Sequence, residues 1–303
     1  MNKKYGKWTV IMITIAGLGI ASMMIAWALE NMYDTAFGGG NVAVIPIRGV
    51  IVTQTTDDIF DVGSTSSETV LRFIKDADDD PAIKAIMLDI NSPGGSPVAT
   101  DEIARAVKRL NKTTIAVIHD VGASGAYWVA SSADTIVANP MSIVGSIGVY
   151  SSYIDIAGLM DKYGLKYNRL IAGEHKDLGS PFRNLTISER TILQLKVDKI
   201  HDIFIDAIAE NRGLPRQRVE ELATGIFYLG VEAEELGLVD MLGTKDDAVE
   251  HLEESLGIKA ELVEYRKKET VLSLLSRIIG EQSFLVGHGI GSGLVRQRLQ
   301  IFT

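Results

Sequence analysis

Short apolar runs rich in β-branched residues alternate along this chain with stretches whose apolar residues recur three and four positions apart. That alternation limits the folds open to it more than any other feature. Val42 to Ile47, Ile83 to Ile90 and Thr114 to Ile118 read as strands, whereas Val98 to Leu110 and Ile192 to Ile208 read as helices. A strand that is apolar on both faces must be covered on both, and intervening helices do this when successive strands run parallel. The expectation is an α/β domain around a largely parallel, buried sheet. Glycine-rich stretches follow two of these strands, at Asn91-Ser92-Pro93-Gly94-Gly95 and Val121-Gly122-Ala123-Ser124-Gly125. Sheets of this class gather their sites at strand carboxyl ends.

Upstream of the first strand lies a run of 22 uncharged residues, Trp8 to Leu29. As a helix rising about 1.5 Å per residue it reaches about 33 Å, enough to cross a hydrocarbon core. Lys3, Lys4 and Lys7 precede it and Glu30 and Asp34 follow, so the amino terminus is expected in the cytoplasm and everything after residue 30 outside it. Ala26-Trp27-Ala28 has the small-x-small form of a processing site. The run nevertheless exceeds the ~7–15 residues of a cleaved signal's apolar region, which favours a retained single-pass anchor in contact with membrane lipid.

The chain therefore divides into a cytoplasmic terminus (1–7), an anchor (8–29), a linker ending in three glycines (30–41), a soluble domain (42–257) and an appendage (258–303). In the appendage Val271, Leu272, Leu274, Leu275, Ile278 and Ile279 make one amphipathic stripe, followed by glycines at 287, 289, 291 and 293. Docking of that stripe on the domain or a neighbouring subunit is favoured over lipid, because only Arg277 lies within it to meet headgroups. The glycines have no strand and helix around them and are assigned no phosphate site.

Composition removes whole classes of function. A net charge of −9 argues against a nucleic-acid partner, which needs Lys and Arg to displace phosphate counterions. The absence of cysteine excludes thiol catalysis, disulfides and cysteine-ligated zinc.

The chemistry must then come from hydroxyls, amines, imidazoles and carboxylates. Ser124 sits between Ala123 and Gly125, small neighbours that permit a tight strand-to-helix turn with the hydroxyl uncovered, as a nucleophile requires. Taken alone, such a serine is more often a helix cap. Histidines stand at 119, 175, 201, 251 and 288, and none has a spacing that marks it as the base. Lys176, within Ala172-Gly173-Glu174-His175-Lys176-Asp177-Leu178-Gly179-Ser180-Pro181-Phe182-Arg183, follows a strand-like stretch from Lys166 to Ile171. A lysine accepts a proton only if its amine is neutral, and only burial, completed by substrate or a neighbouring subunit, could supply that.

The ordered motifs Asp89-Ile90-Asn91-Ser92-Pro93-Gly94-Gly95, Gly122-Ala123-Ser124-Gly125-Ala126-Tyr127-Trp128, Gly145-Ser146-Ile147-Gly148-Val149, His175-Lys176-Asp177 and Ser180-Pro181 together carry a resemblance. Over about Val42 to Gly257 the chain resembles the signal peptide peptidase family of membrane-anchored Ser–Lys proteases, in its single-repeat form. Gly225-Ile226-Phe227-Tyr228 and Leu236-Gly237-Leu238-Val239-Asp240 extend the similarity. The resemblance implies the ClpP/crotonase fold, an α/β spiral of ββα units, assembled into ring- or dome-shaped homo-oligomers with sites on the inner face. It implies Ser124 as nucleophile, Lys176 as general base, and Ser146 as the hydroxyl that orients the lysine amine. Gly95 would donate its N–H to the oxyanion, Gly94 would shape that turn, and the Gly125 N–H would be a second donor. Ser96-Pro97 stands where some relatives have a third glycine, and the appendage exceeds the family core.

The implied activity is a membrane-anchored serine endopeptidase that cleaves apolar peptides, released signal peptides among them, through an acyl-enzyme and without cofactor or metal. Two other readings are a crotonase-type acyl-CoA enzyme and a catalytically silent membrane scaffold. The anchor and the Ser/Lys pair speak against the first; labelling of Ser124 by a serine-directed acylating probe would exclude the second.

Overall fold

The computed structural model describes residues 39–54 and 63–266, with Gly6 and scattered helical positions between Met12 and Met24. Most of the expected anchor and linker, and the appendage after Arg266, lie outside the described residues. Among those described, no helix is long and apolar enough to cross a membrane.

In chain order the elements are β1 (Val42–Val52), β2 (Ser64–Ser66), α1 (Ser67–Asp79), β3 (Ala85–Gly95), α2 (Pro97–Lys108) and β4 (Thr113–Ala123). There follow α3 (Gly125–Ser131), β5 (Thr135–Ala138), β6 (Ile143–Gly145), α4 (Ala157–Lys162), α5 (Ile187–Arg212) and α6 (Arg216–Leu222). The last are β7 (Phe227–Leu229), α7 (Gly230–Glu235), β8 (Met241–Leu242), α8 (Lys245–Leu256) and β9 (Leu262–Glu264).

Nine described strands form one sheet in the order β2-β1-β3-β4-β5-β8, with β9 on β1, β6 on β4 and β7 on β6. Every pair is parallel except β6 with β7. The expected parallel sheet is thus present, and its strands carry apolar residues on both faces because both are covered. Ala43, Ile45, Ile86, Leu88 and Ile90 face the layer that includes α1, α2, α3 and α5. Val42, Val44, Met87, Ile115 and Val117 face the opposite way, with Leu252 of α8.

Two strands run further than their apolar runs predict. β3 continues through Asn91 to Gly95 and β4 through His119 to Ala123. Irregularities between Ile90 and Ser92, and between Arg48 and Val50, carry the register past these polar and glycine residues. β4 changes neighbour along its length: Ile115 to Ile118 pair with β5, whereas Val121 to Ala123 pair with β6. The chain turns between those two neighbours at Ser142, whose hydroxyl donates to the carbonyls of Ile118 and His119.

The strand expected at Lys166 to Ile171 is absent; this stretch is irregular. Its apolar side chains meet neither a sheet edge nor a helix layer, and Leu170 is 100% exposed. The sheet also reaches past Gly257, because β9 pairs with the start of β1. Asn41 fastens the two ends: its N–H donates to Glu261 O at 2.8 Å, its Oδ1 accepts from Glu261 N at 2.8 Å, and its amide donates to Lys259 O at 2.9 Å.

Candidate active site

At the carboxyl end of β4 the backbone reverses into α3 through Ser124, whose φ of 53° and ψ of −126° lie outside the ordinary regions for a residue with a side chain. Ser124 and Ser146, with φ of 50°, are the two non-glycine residues with positive φ among the described residues. Such conformations cost about 1–3 kcal/mol each and persist where surrounding contacts over-determine them. Here those contacts are visible. The Ser124 N–H donates to Gly145 O at 2.7 Å, and the Trp128 N–H closes the other side of the turn by donating to Ser124 O at 3.1 Å. Ser146 N–H donates to Ile226 O at 3.1 Å, and its Oγ donates to Gly225 O at 3.1 Å. Every residue of α3 from Gly125 to Ser131 is buried, while Ser124 itself is partly exposed.

The glycine pair at the end of β3 closes against this turn. A Cβ on Gly94, whose φ is +93°, would lie 2.6 Å from Gly125 N and 3.0 Å from Ser124 Cβ. A Cβ on Gly95 would lie 2.0 Å from Ile51 O. Only a residue without a side chain fits either position. The Gly94 N–H is committed to Ser92 Oγ at 3.1 Å, so of the two it is Gly95 whose amide is the better donor to a ligand. The Gly95 nitrogen would be 3.3 Å from a Cβ on Gly125, and Gly95 is exposed. The structure thus brings Ser124, Gly94, Gly95 and Gly125 together, with Ser146 one residue beyond the carbonyl that holds the Ser124 amide.

Lys176 belongs to a different segment. It lies in the run of turns from Glu174 to Gly179 and is exposed, and among the described residues no hydrogen bond or ion pair engages its amine. The burial expected of this lysine is not present in the single chain. What holds its turn is a cluster that the sequence reading missed. The Arg183 guanidinium donates Nε to Asp177 Oδ2 at 2.7 Å and Nη2 to Asp177 Oδ1 at 2.9 Å. It also donates Nη1 to Glu189 Oε2 at 2.9 Å and Nη2 to Glu189 Oε1 at 2.7 Å. Glu189 in turn accepts from the Thr186 N–H at 2.9 Å and completes the capping box that starts α5. Hydrogen bonds from Arg183 and from the Thr186 backbone pull the Glu189 carboxyl down to about 2. The Arg183 hydrogen bond likewise holds Asp177 below the usual carboxylate range.

Two further features lie beside the strand ends. Asp89 is buried, with His119 Nε2 2.6 Å and Lys245 Nζ 3.5 Å from Oδ1 and Arg48 Nη2 2.6 Å from Oδ2. Burial pushes this carboxyl up, but the hydrogen bonds from His119 and Arg48 and the charge of Lys245 outweigh it and hold it low. His119 is therefore engaged with Asp89, in keeping with its dismissal as a base. The second feature is Thr100 in the first turn of α2, fully buried, with an Oγ1 that has no hydrogen-bond partner among the described residues. That oxygen would be 2.4 Å from a Cβ on Gly125, so it forms the wall behind the Ser124 turn. No sequence signal marks it.

Two motifs of the sequence serve packing. Tyr127, fully buried in α3, donates to Leu238 O at 2.8 Å, and Trp128 stacks on Phe204 of α5 with ring centroids 4.9 Å apart.

An α/β sheet whose sharpest strand-to-helix turn presents a serine beside a pair of obligate glycines has the anatomy of a hydrolytic enzyme. The chain belongs to peptidase family S49, whose profile matches residues 106–259. It is 34% identical over 299 residues to a putative protease of Methanocaldococcus jannaschii, covering 97% of this chain and 94% of that protein. It is 30% identical to a putative signal peptide peptidase of Enterococcus faecium, covering 80% of this chain and 71% of the relative. With protease 4 of Haemophilus influenzae it shares 32% identity over 70% of this chain and 34% of that longer protein. Among solved structures, a membrane-bound stomatin-specific protease superposes with a TM-score of 0.50 at 16% identity, over 76% of this chain and 99% of that one. That likeness is one of fold.

Proposed function

We propose that this peptidase is a serine endopeptidase in which Ser124 and Lys176 form the reacting pair. The observation that carries the proposal is the coincidence of strain with chemistry: among the described residues, the two non-glycine residues held at positive φ are two serines that the motifs single out. In this reading Ser124 Oγ bonds to the scissile carbonyl carbon as its proton passes to the neutral Lys176 amine. The oxyanion accepts from the Gly95 and Gly125 N–H groups, one such donor being worth about 2.7–4 kcal/mol. The lysine then gives the proton to the leaving amine as the C–N bond breaks. Water, deprotonated by the same lysine, releases the acyl group. Ser146 orients the lysine amine. Its hydroxyl now donates to Gly225 O, which leaves its oxygen lone pairs open to an N–H donor.

The substrates are apolar peptides, released signal peptides among them, as the name of the Enterococcus relative indicates for that protein. Exposed Tyr150, Ile154, Tyr163, Leu170 and Phe182 support both an apolar clientele and assembly. The assembly is a ring- or dome-shaped homo-oligomer of ClpP/crotonase type, in which a neighbouring copy covers the Lys176 segment and removes water from the amine. Residues 8–29 hold the protein in the membrane, with the amino terminus cytoplasmic and the catalytic domain outside.

A serine-directed fluorophosphonate, followed by mass spectrometry of the intact membrane protein, tests the pair directly. The expected adduct is on Ser124, lost in Ser124→Ala and strongly slowed in Lys176→Ala. Labelling unchanged in either variant would sink the dyad.

A further inference from the structure

From Gly148 to Ile203 the described chain contains one buried residue, and it is a carboxylate, Glu189. A stretch of this length ordinarily takes its shape from apolar side chains pressed into a core. This one does not, and its tertiary order must come from something else. A well-buried charged cluster stands within it around Arg183: the Asp177, Arg183 and Glu189 side chains are 11%, 16% and 7% exposed.

We infer that Arg183 is the positioning residue for the proposed base, its guanidinium fixing the Lys176 turn to the amino end of α5 through Asp177 and Glu189. The inference rests on the reading of Lys176 as that base. Asp177 is the next residue after Lys176, so the two-pronged contact at 2.7 and 2.9 Å constrains the backbone that carries the amine. On the other side of the guanidinium Glu189 belongs to the capping box of α5, a 26-residue helix. Near its far end α5 places Phe204 against Trp128 of α3, and α3 begins at Ser124. The lysine turn is thereby linked to the nucleophile turn through the Arg183 hydrogen bonds, the backbone of α5 and the Phe204–Trp128 stack. A planar guanidinium serves two carboxylates in fixed geometry, which a lysine at 183 could not, its ammonium being a point charge on a flexible stem. Arg169 Nη1, 3.4 Å from Asp177 Oδ2, adds a weaker restraint on the same carboxylate.

The test compares Arg183→Lys and Glu189→Gln with the parent full-length enzyme in detergent or vesicles, using an apolar peptide substrate and fluorophosphonate labelling. Arg183→Lys is expected to lower kcat by about a hundredfold, the scale of a 1 Å misplacement of a reacting group. KM should stay within about twofold, because substrate contacts are untouched. The acid limb of the kcat/KM profile should move to higher pH, since a less confined lysine is better hydrated. Loss of fold alone would leave the profile in place and scale activity with the folded fraction read by circular dichroism, and that result overturns the inference. Should Arg183→Lys fail to fold, Glu189→Gln, with near-identical shape, carries the same expectations at smaller size. Full kcat with an unmoved profile in both variants, while Lys176→Ala is inactive, removes the clamp and leaves the base. Full turnover in Lys176→Ala removes the base and the clamp with it.

Discussion

The two residues proposed to react are held in opposite ways. Ser124 ends a strand whose apolar residues are buried on both faces, and its surroundings are fixed by backbone: an amide bonded to Gly145 O and two glycines packed so close that no Cβ fits. Lys176 rides on a stretch from Gly148 to Ile203 in which only Glu189 is buried, and its turn is fixed by charged side chains reaching across. The difference follows from what each group must do. An oxyanion site needs donors placed to tenths of an ångström, which main chain in a packed sheet provides. A neutral amine needs exclusion of water, which a surface segment acquires only when something covers it. In the proposed reading the serine half of the site is formed by the chain itself, and the lysine half, exposed here, acquires its cover from a neighbour or from substrate.

This contrast can be broken at several points. The largest effect belongs to the proposed reacting pair: Ser124→Ala and Lys176→Ala should each reduce peptide cleavage by roughly 10⁴-fold or more with the melting temperature kept, measured by steady-state turnover and calorimetry. Lys176→Arg should restore nothing, since arginine stays protonated. Next comes Gly95→Ala, whose Cβ would meet Ile51 O at 2.0 Å. Displacement of the donor amide should lower kcat by about 10²–10³-fold, and an unchanged kcat would move the oxyanion site elsewhere.

Asp89→Asn probes the sheet half. It leaves Arg48 and Lys245 around a neutral buried amide, and the expected loss is about 3 kcal/mol of unfolding free energy by denaturant titration. Acid titration probes the lysine half. Glu189 is held at about 2 against an ordinary 4.5, so its stabilising contribution is complete above that ordinary value and fades as pH falls toward the lower one. The melting temperature of the parent should therefore drop over this window more than that of Glu189→Gln. The smallest effect is expected from Thr100→Val, which removes a buried hydroxyl that has no partner among the described residues; stability should rise by up to about 1 kcal/mol with kcat unchanged. A large loss of kcat would give that hydroxyl a part in the oxyanion wall.

Much of the sheet half was legible in the sequence because its strands are uninterrupted apolar runs and its turn is spelled in glycine, alanine and serine. The strand ends were not, since Asn91 to Gly95 and His119 to Gly122 have turn-forming composition, and pairing with β1, with β6 and with each other keeps them extended. α5 starts at Ile187, five residues before its apolar periodicity suggests. Thr186 and Glu189, spaced as a capping box, were the available mark. The lysine half was opaque for a different reason. Lys166 to Ile171 is strand-like in composition but has no partner edge, and Asp177, Arg183 and Glu189 are spaced six apart. On a helix that interval points side chains to different faces, and on a strand it shares a face but at about 20 Å, so neither periodicity announces that one guanidinium gathers both carboxylates.

The staple at Asn41 has a mechanical meaning. Because β9 lies parallel to the first residues of β1 and both are locked by Asn41 to Glu261, tension applied through either end of the domain is borne as shear along β1. The opposite tip of that strand is Ile51, whose carbonyl receives the Ser96 N–H at 2.8 Å and walls in Gly95. A pull applied at Asn41 is thereby carried along β1 toward the glycine proposed to cradle the oxyanion.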